Sequence, residues 1–167
     1  TAEQRIGIRT IQVSSKTGLL LNGQPRTMKG GCIHHDLGIL GAADHAAAER
    51  RRIRLMKESG FDAIRAAHNP FGPAFLDACD ELGMLVVEEA FDEWVMGRTS
   101  FGLHVTFEQC WEKDLEDMIT RDYNHPCIVM WSTGNEVEER DGTADGFAWA
   151  KRLADKVRSL DASRPVS

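Results

Sequence analysis

Short, wholly apolar segments alternate along this chain with longer helical stretches, and each short segment ends in a knot of ionisable residues. Uninterrupted apolar strands signal a parallel sheet covered by helices. Reactive side chains collected at strand C-termini are the arrangement of a (β/α)8 (TIM) barrel. The predicted fold class is therefore α/β. Residues 28–167 read as about the first four βα units of a partial (β/α)8 barrel, and residues 1–27 as a short β-hairpin segment leading in. A full barrel takes ~250 residues, so the expectation is the N-terminal half of one, cut from a longer protein. A doubly wound sheet also places ligands at strand C-termini. No GxGxxG or GxxxxGK[ST] follows any strand here, which lowers that nucleotide-binding alternative.

The elements follow in order. Ile6 to Val13 alternates apolar and polar residues as a half-buried strand does. After Leu19-Leu20-Leu21 comes Asn22-Gly23, whose residues tolerate the positive φ of a type I′ hairpin turn. Met28 to Ile33 reads as a strand. Asp44 is placed to cap a helix running to about Ser59, with Gly60 ending it. Ala63 to Ala66 is a strand, Pro73 opens a helix to about Glu81, and Gly83 stops it. Met84 to Val87 is a strand ending in Glu88-Glu89. Phe107 to Tyr123 is helical until His125-Pro126, and Ile128 to Ser132 is the next strand. Ala144 to Leu160 forms a last helix, and Arg164-Pro165-Val166 begins a fifth strand.

The 167 residues are 42% hydrophobic and 28% charged, which excludes disordered and disulfide-scaffold classes. A chain this long buries roughly two-thirds of its extended surface. A net charge of −6 without a basic run argues against a nucleic-acid partner. No apolar run approaches the ~20 residues of a membrane span, and the first residues lack the order of a signal peptide. Cys32, Cys79, Cys110 and Cys127 form no CxxC pair. They read as free, buried thiols that suit a reducing compartment, so a cytoplasmic location is favoured over export.

The candidate chemistry lies after the strands. Trp131-Ser132-Thr133-Gly134-Asn135-Glu136 delivers an amide and a carboxylate side by side. A partly desolvated carboxyl at such a lip keeps its proton near neutral pH and can hand it to a leaving oxygen. The neighbouring amide can hydrogen-bond a sugar hydroxyl. Alternatively, Glu136 merely opens a solvated loop with Glu138, Glu139, Arg140 and Asp141. Strand neighbours point to opposite faces, so of His34 and His35 at most one faces a site unless the strand has already ended, and the other reading is a core histidine held by a carbonyl. An HxH metal pair is absent. Arg65 within its strand demands carboxylate partners, with Glu88, Glu89 and Glu136 as candidates. It either tunes an acid or forms a purely structural pair. His68, Asp92 and Trp94 follow their strands; Trp94 suits stacking on a sugar face and equally suits packing.

Together, four segments resemble glycoside hydrolase family 2. FDAIRAAHNPF (61–71) followed by CDELG (79–83) is similar to that family's first signature. DYNHPCIVMWSTGNE (122–136) resembles its acid/base signature. KGGCIHHD (29–36) and EEAFDEW (88–94) look like the first and third barrel strands of its β-galactosidase-like members. The likeness runs from about residue 5 to residue 167. It implies a retaining exo-β-glycosidase acting on terminal β-galactosides, with sandwich domains ahead of the barrel. Residues 1–27 would then be the exit from such a domain. By the same resemblance Glu136 is the general acid/base, Asn135 contacts the substrate 2-hydroxyl, His34 and His68 bind the sugar, and Arg65 supports the catalytic carboxylates.

The sequence departs from the pattern at Asp62, where Asn is usual, and at Asn69, where Tyr is common. Glu93 matches a magnesium ligand, but Val95 replaces the second ligand, a His, so no metal or other cofactor is expected. The family's nucleophile leaves a later strand, beyond Ser167. The isolated half barrel is therefore expected to be inactive and to self-associate through its open edges. The alternatives are a β-glucuronidase of the same family, or a non-catalytic carbohydrate-binding or scaffold fragment. A metal-dependent barrel hydrolase is disfavoured by the missing HxH.

Overall fold

The computed structural model describes residues 6–167; residues 1–5 of the lead-in segment lie outside the described residues. Strands β1 (Ile11–Ser14), β2 (Gly18–Leu21) and β3 (Gln24–Pro25) form an antiparallel sheet in that order. Leu21 pairs with Gln24 across the expected two-residue turn, where Asn22 and Gly23 have φ of 51° and 74°. The first strand starts at Ile11 rather than Ile6. Ile6 and Ile8 are exposed and have no strand to pair with. Arg9 instead ties this segment to the start of a later strand, donating to the carbonyls of Pro126 (2.7 Å) and Ile128 (2.5 Å).

The second sheet is parallel, ordered β4 (Gly30–Ile33), β5 (Ala63–Ala66), β6 (Leu85–Glu89) and β7 (Ile128–Ser132). Helices α1 (Ala46–Glu58), α2 (Pro73–Leu82) and α3 (Phe107–Asp122) connect these strands, and α4 (Gly146–Leu160) follows the last. The expected fifth strand begins as a parallel bridge from Val166 to Trp131. Its ladder bonds are Trp131 N to Pro165 O and Ser167 N to Trp131 O, both 3.0 Å.

Strand alternation divides the side chains between two faces. Ile64, Ala66, Val86 and Ile128 pack with Phe75, Leu76, Met118, Leu153 and other apolar residues into the core beneath the helices. The hairpin's Ile11 and Leu21 pack on Ala63, Leu85 and Val129, near the N-terminal ends of the parallel strands. The strand C-termini, where the ionisable residues stand, are left free of that cover.

Three local expectations are corrected. Asp44 does not cap α1, which starts at Ala46 with no side-chain cap. Its carboxylate accepts from Ala74 N (3.1 Å) and so serves an orphan N–H in the first turn of α2. The last helix starts at Gly146 rather than Ala144, because Ala144 and Asp145 take left-handed φ of 45° and 58°. Cys79 and Cys127 are buried, but Cys110 is half-buried and Cys32 is exposed, since β4 is the edge of its sheet. Among the described residues no helix is long and apolar enough to cross a membrane.

Candidate active site

Consecutive glutamates end β6, and alternation sends them to opposite faces. Glu88 goes to the helix side, where Oε1 accepts from Phe71 N (2.7 Å) and Oε2 is buried without a partner. Burial holds its carboxyl well above the ordinary range. Glu89 goes to the other face and is fully buried, with partners from β5, the segment after it and the end of β7. Arg65 donates from Nε to Oε2 (3.0 Å) and from Nη2 to both oxygens (3.0 and 2.7 Å). Ser132 Oγ donates to Oε2 and His68 Nδ1 bonds Oε1, each at 2.7 Å. Arg65 therefore has the carboxylate partner its position in a strand demands. Burial opposes its charge, but the bonds to Glu89 outweigh that and raise its pKa.

The network runs on to the next strand. Arg65 Nη2 also donates to Asn135 Oδ1 (2.9 Å), and Asn135 Nδ2 donates to Asp92 Oδ1 (2.9 Å). Both ends of the amide are thus committed, which fixes its orientation. Asp92 also accepts from Arg98, through Oδ1 (2.5 Å) and its backbone carbonyl (2.8 Å). Burial pushes the Asp92 carboxyl up, but the bonds from Asn135 and Arg98 prevail and hold it below its usual range.

Glu136 follows in the left-handed region at φ 43°, with Arg98 Nη1 3.5 Å from Oε2. Its side chain is 79% exposed. The desolvated carboxyl expected at the lip is therefore absent from the described residues: the positive-φ turn carries the side chain past the sheet end, and none of these residues covers it.

Of the residues singled out in the sequence, the structure brings together Arg65, His68, Asp92, Asn135 and Glu136, with His34 alongside, its ring 5.0 Å from that of His68. Two candidates take other positions. His35 stacks on Phe71 (4.0 Å between centroids), with Nε2 3.2 Å from Pro70 O, outside the Glu89 network. Trp94 is buried beneath the loop after β7 and donates Nε1–H to Thr133 O (2.8 Å). A side chain at Gly134 would collide with this indole, so glycine there is what lets the loop close over it. Trp94 offers no exposed stacking face because packing claims it.

Three contributors were not singled out as site residues. Glu89 was weighed only as a possible partner of Arg65, although alternation along β6 makes it the glutamate on the Arg65 side. Ser132 lies within the Trp131–Glu136 segment but has no role assigned from the sequence, and Arg98 carries no signal because it belongs to an irregular loop.

Glu93, at the matching metal-ligand position, is buried. Its carboxylate accepts from Arg98 N (3.0 Å) and His104 N (3.1 Å) and pairs with His104 Nδ1 (3.0 Å). Burial opposes its charge, but these bonds hold the carboxyl below its ordinary range. With both oxygens so engaged and Val95 offering no donor, these residues do not fit a magnesium ion. A separate trio, Asp80, His125 and Cys127, lies within metal-binding reach. There Asp80 already bonds His125 Nδ1 (2.7 Å) and Cys127 N (2.8 Å), latching α2 to the start of β7.

Comparison with known proteins decides the family. The model described as "Glycosyl hydrolases family 2, TIM barrel domain" matches residues 11–167. The chain belongs to glycosyl hydrolases family 2. Its parallel sheet and outer helices are therefore part of that family's TIM barrel domain. The β-galactosidase BoGH2A of Bacteroides ovatus is 45% identical over 97% of this chain and 23% of its own length. A putative β-glucuronidase of Formosa agariphila is 38% identical over 88% of this chain and 14% of its own. Among solved structures, a family 2 member from Bacteroides cellulosilyticus superposes with a TM-score of 0.93 at 47% identity, covering 96% of this chain and 21% of its own. The family 2 β-galacturonidase of Eisenbergiella tayi, solved with galacturonate, superposes at 0.84 with 32% identity, over 98% and 28%. The chain thus spans about a quarter or less of the curated relatives it matches.

Proposed function

We propose that these residues are the first four βα units of a retaining exo-β-glycosidase barrel, with terminal β-galactosides as substrates and Glu136 as the general acid/base. The observation that carries the proposal is the locked amide: Asn135 is held at Oδ1 by Arg65 and at Nδ2 by Asp92, setting the next residue, Glu136, at the open end of the sheet.

In this reading Glu136 protonates the departing glycosidic oxygen, and later takes a proton from the water that releases the sugar. A second carboxylate about 5 Å away, outside these 167 residues, forms the glycosyl intermediate. Asn135 addresses the 2-hydroxyl, while His34, His68 and Asp92 line the sugar side. Arg65 acts through others, holding Glu89 and Asn135 in place. His35 and Trp94 have packing roles. By themselves the 167 residues are inactive, since no member can be assigned as nucleophile.

The neutral sugar is favoured over a uronate by the state of the cations. A carboxylated sugar needs a cation free to bind it, and among the described residues the guanidinia beside Asn135, Arg65 and Arg98, each pair with a carboxylate of the protein. The test is a panel of aryl glycosides given to the full-length enzyme. Cleavage of the β-galactoside well above the β-glucuronide and β-galacturonide is expected. The reverse order would overturn the substrate assignment, and no cleavage of any would overturn the reaction.

A further inference from the structure

We infer that Arg98 is the positioning residue for the acid/base carboxylate, an inference that rests on the proposed role of Glu136. The loop between β6 and α3 is folded around Glu93. Its buried carboxylate accepts from Arg98 N (3.0 Å) and His104 N (3.1 Å), and a side chain at Gly102 would intrude on it. The backbone at residue 98 is therefore pinned before its side chain makes any contact.

The side chain is then tied as well. Arg98 Nη2 reaches Asp92 Oδ1 (2.5 Å) and Asp92 O (2.8 Å), and Asp92 is itself held by Asn135. The other terminal nitrogen, Nη1, lies 3.5 Å from Glu136 Oε2. Among the described residues Arg98 is the one ion-pair partner of Glu136, whose side chain is otherwise free in solvent.

An exposed ion pair usually contributes little, because two long side chains must both be ordered. Here one partner has been ordered in advance by bonds to Asp92 and Glu93, so the pair restricts Glu136 at the entropic cost of one side chain rather than two. The carboxylate is held on the Asn135–Asp92 side of the lip, where a glycosidic oxygen must lie if Asn135 contacts the adjacent sugar. Proton transfer is sensitive to such placement: a misplacement of about 1 Å can cost ~100-fold.

The test uses the full-length enzyme with Arg98→Gln, Arg98→Lys and, as a reference, Glu136→Ala. Each variant is assayed on a disaccharide and on a dinitrophenyl glycoside, whose leaving group scarcely needs a proton. With Arg98→Gln, kcat/KM on the disaccharide, which reports the bond-breaking step, is expected to fall on the order of 10- to 100-fold. On the activated substrate kcat/KM should fall about threefold or less, and Arg98→Lys should recover part of the loss by keeping the charge. An equal loss on both substrates would make Arg98 merely structural and overturn the inference, as would no loss on either. If Glu136→Ala shows the leaving-group dependence and Arg98→Gln does not, the inference alone fails. If Glu136→Ala does not show it, the assignment of Glu136 fails first. Arg98→Met, which keeps the apolar stem, replaces Arg98→Gln should that variant not melt at the parental temperature.

Discussion

Arg65 and Glu89, on adjacent strands β5 and β6, share three hydrogen bonds of 2.7–3.0 Å, and the carboxylate is fully buried while the guanidinium side chain is 34% exposed. The pair joins the structural and functional halves of the account, because the same guanidinium continues to Asn135. Removing one partner of a buried pair strands the other charge, at a cost of about 3–5 kcal/mol. Partial exposure of Arg65 places this case at the low end. Arg65→Met is therefore expected to lower the urea midpoint by an amount equivalent to about 3 kcal/mol. Equal midpoints for the parent and Arg65→Met would contradict the account of Glu89.

Asp161 sets an acid limit on stability. Burial works against its charge, but bonds from Ser163, Trp131 Nε1 and Arg164 lower its carboxyl to about 2 from an ordinary 3.8. For a depressed carboxyl, the stabilisation is complete above the unfolded-state value and disappears as pH falls through the folded-state value. The window is thus from about pH 4 down to about pH 2, and the full effect is about 2 kcal/mol. Asp161→Asn should be less stable at pH 7 and show a shallower fall in melting temperature on acidification. An unchanged acid slope would remove Asp161 from this role.

The fold was legible because its signals are local. Ala63–Ala66 and Ile128–Ser132 emerge with the expected ends, and Asn22-Gly23 makes the expected turn. In the candidate site, the residues marked by following strands directly, such as His68 and Asn135, do share one hydrogen-bonded network through Glu89 and Arg65. Its remaining parts depend on distant contacts. Trp94 is claimed by Thr133, Asp44 caps a helix other than its own, and Arg98 reaches Glu136 only because Glu93 folds the intervening loop. Neither periodicity nor a motif encodes such pairings.

Chelation should leave the enzyme unaffected. Glu93 is occupied by donors from Arg98 and His104, so no divalent ion is required at that position. Dialysis of the full-length enzyme against EDTA is expected to change neither kcat nor melting temperature. A loss restored by magnesium would show that the Glu93 carboxylate takes a metal.

As an isolated chain, the sheet has an open edge. Gly30 to Cys32 of β4 are exposed, and no strand among the described residues pairs with their outer side. Unpaired strand edges recruit other strands. Sedimentation of the 167-residue chain should therefore show concentration-dependent association. A monomeric mass at all concentrations, with a sharp and concentration-independent melt, would contradict this.

The role of Glu136 is tested most directly by the leaving-group dependence of Glu136→Ala in the full-length enzyme. General acid catalysis contributes about 100- to 10,000-fold, and it matters most when the departing oxygen is basic. In kcat/KM, which reports the step that breaks the glycosidic bond, a loss of that size is expected on a disaccharide, with a far smaller one on a dinitrophenyl glycoside. Added azide, which needs no general base, should restore part of the slow release of sugar. Equal losses on both substrates, with no rescue by azide, would contradict the assignment of the acid/base to Glu136.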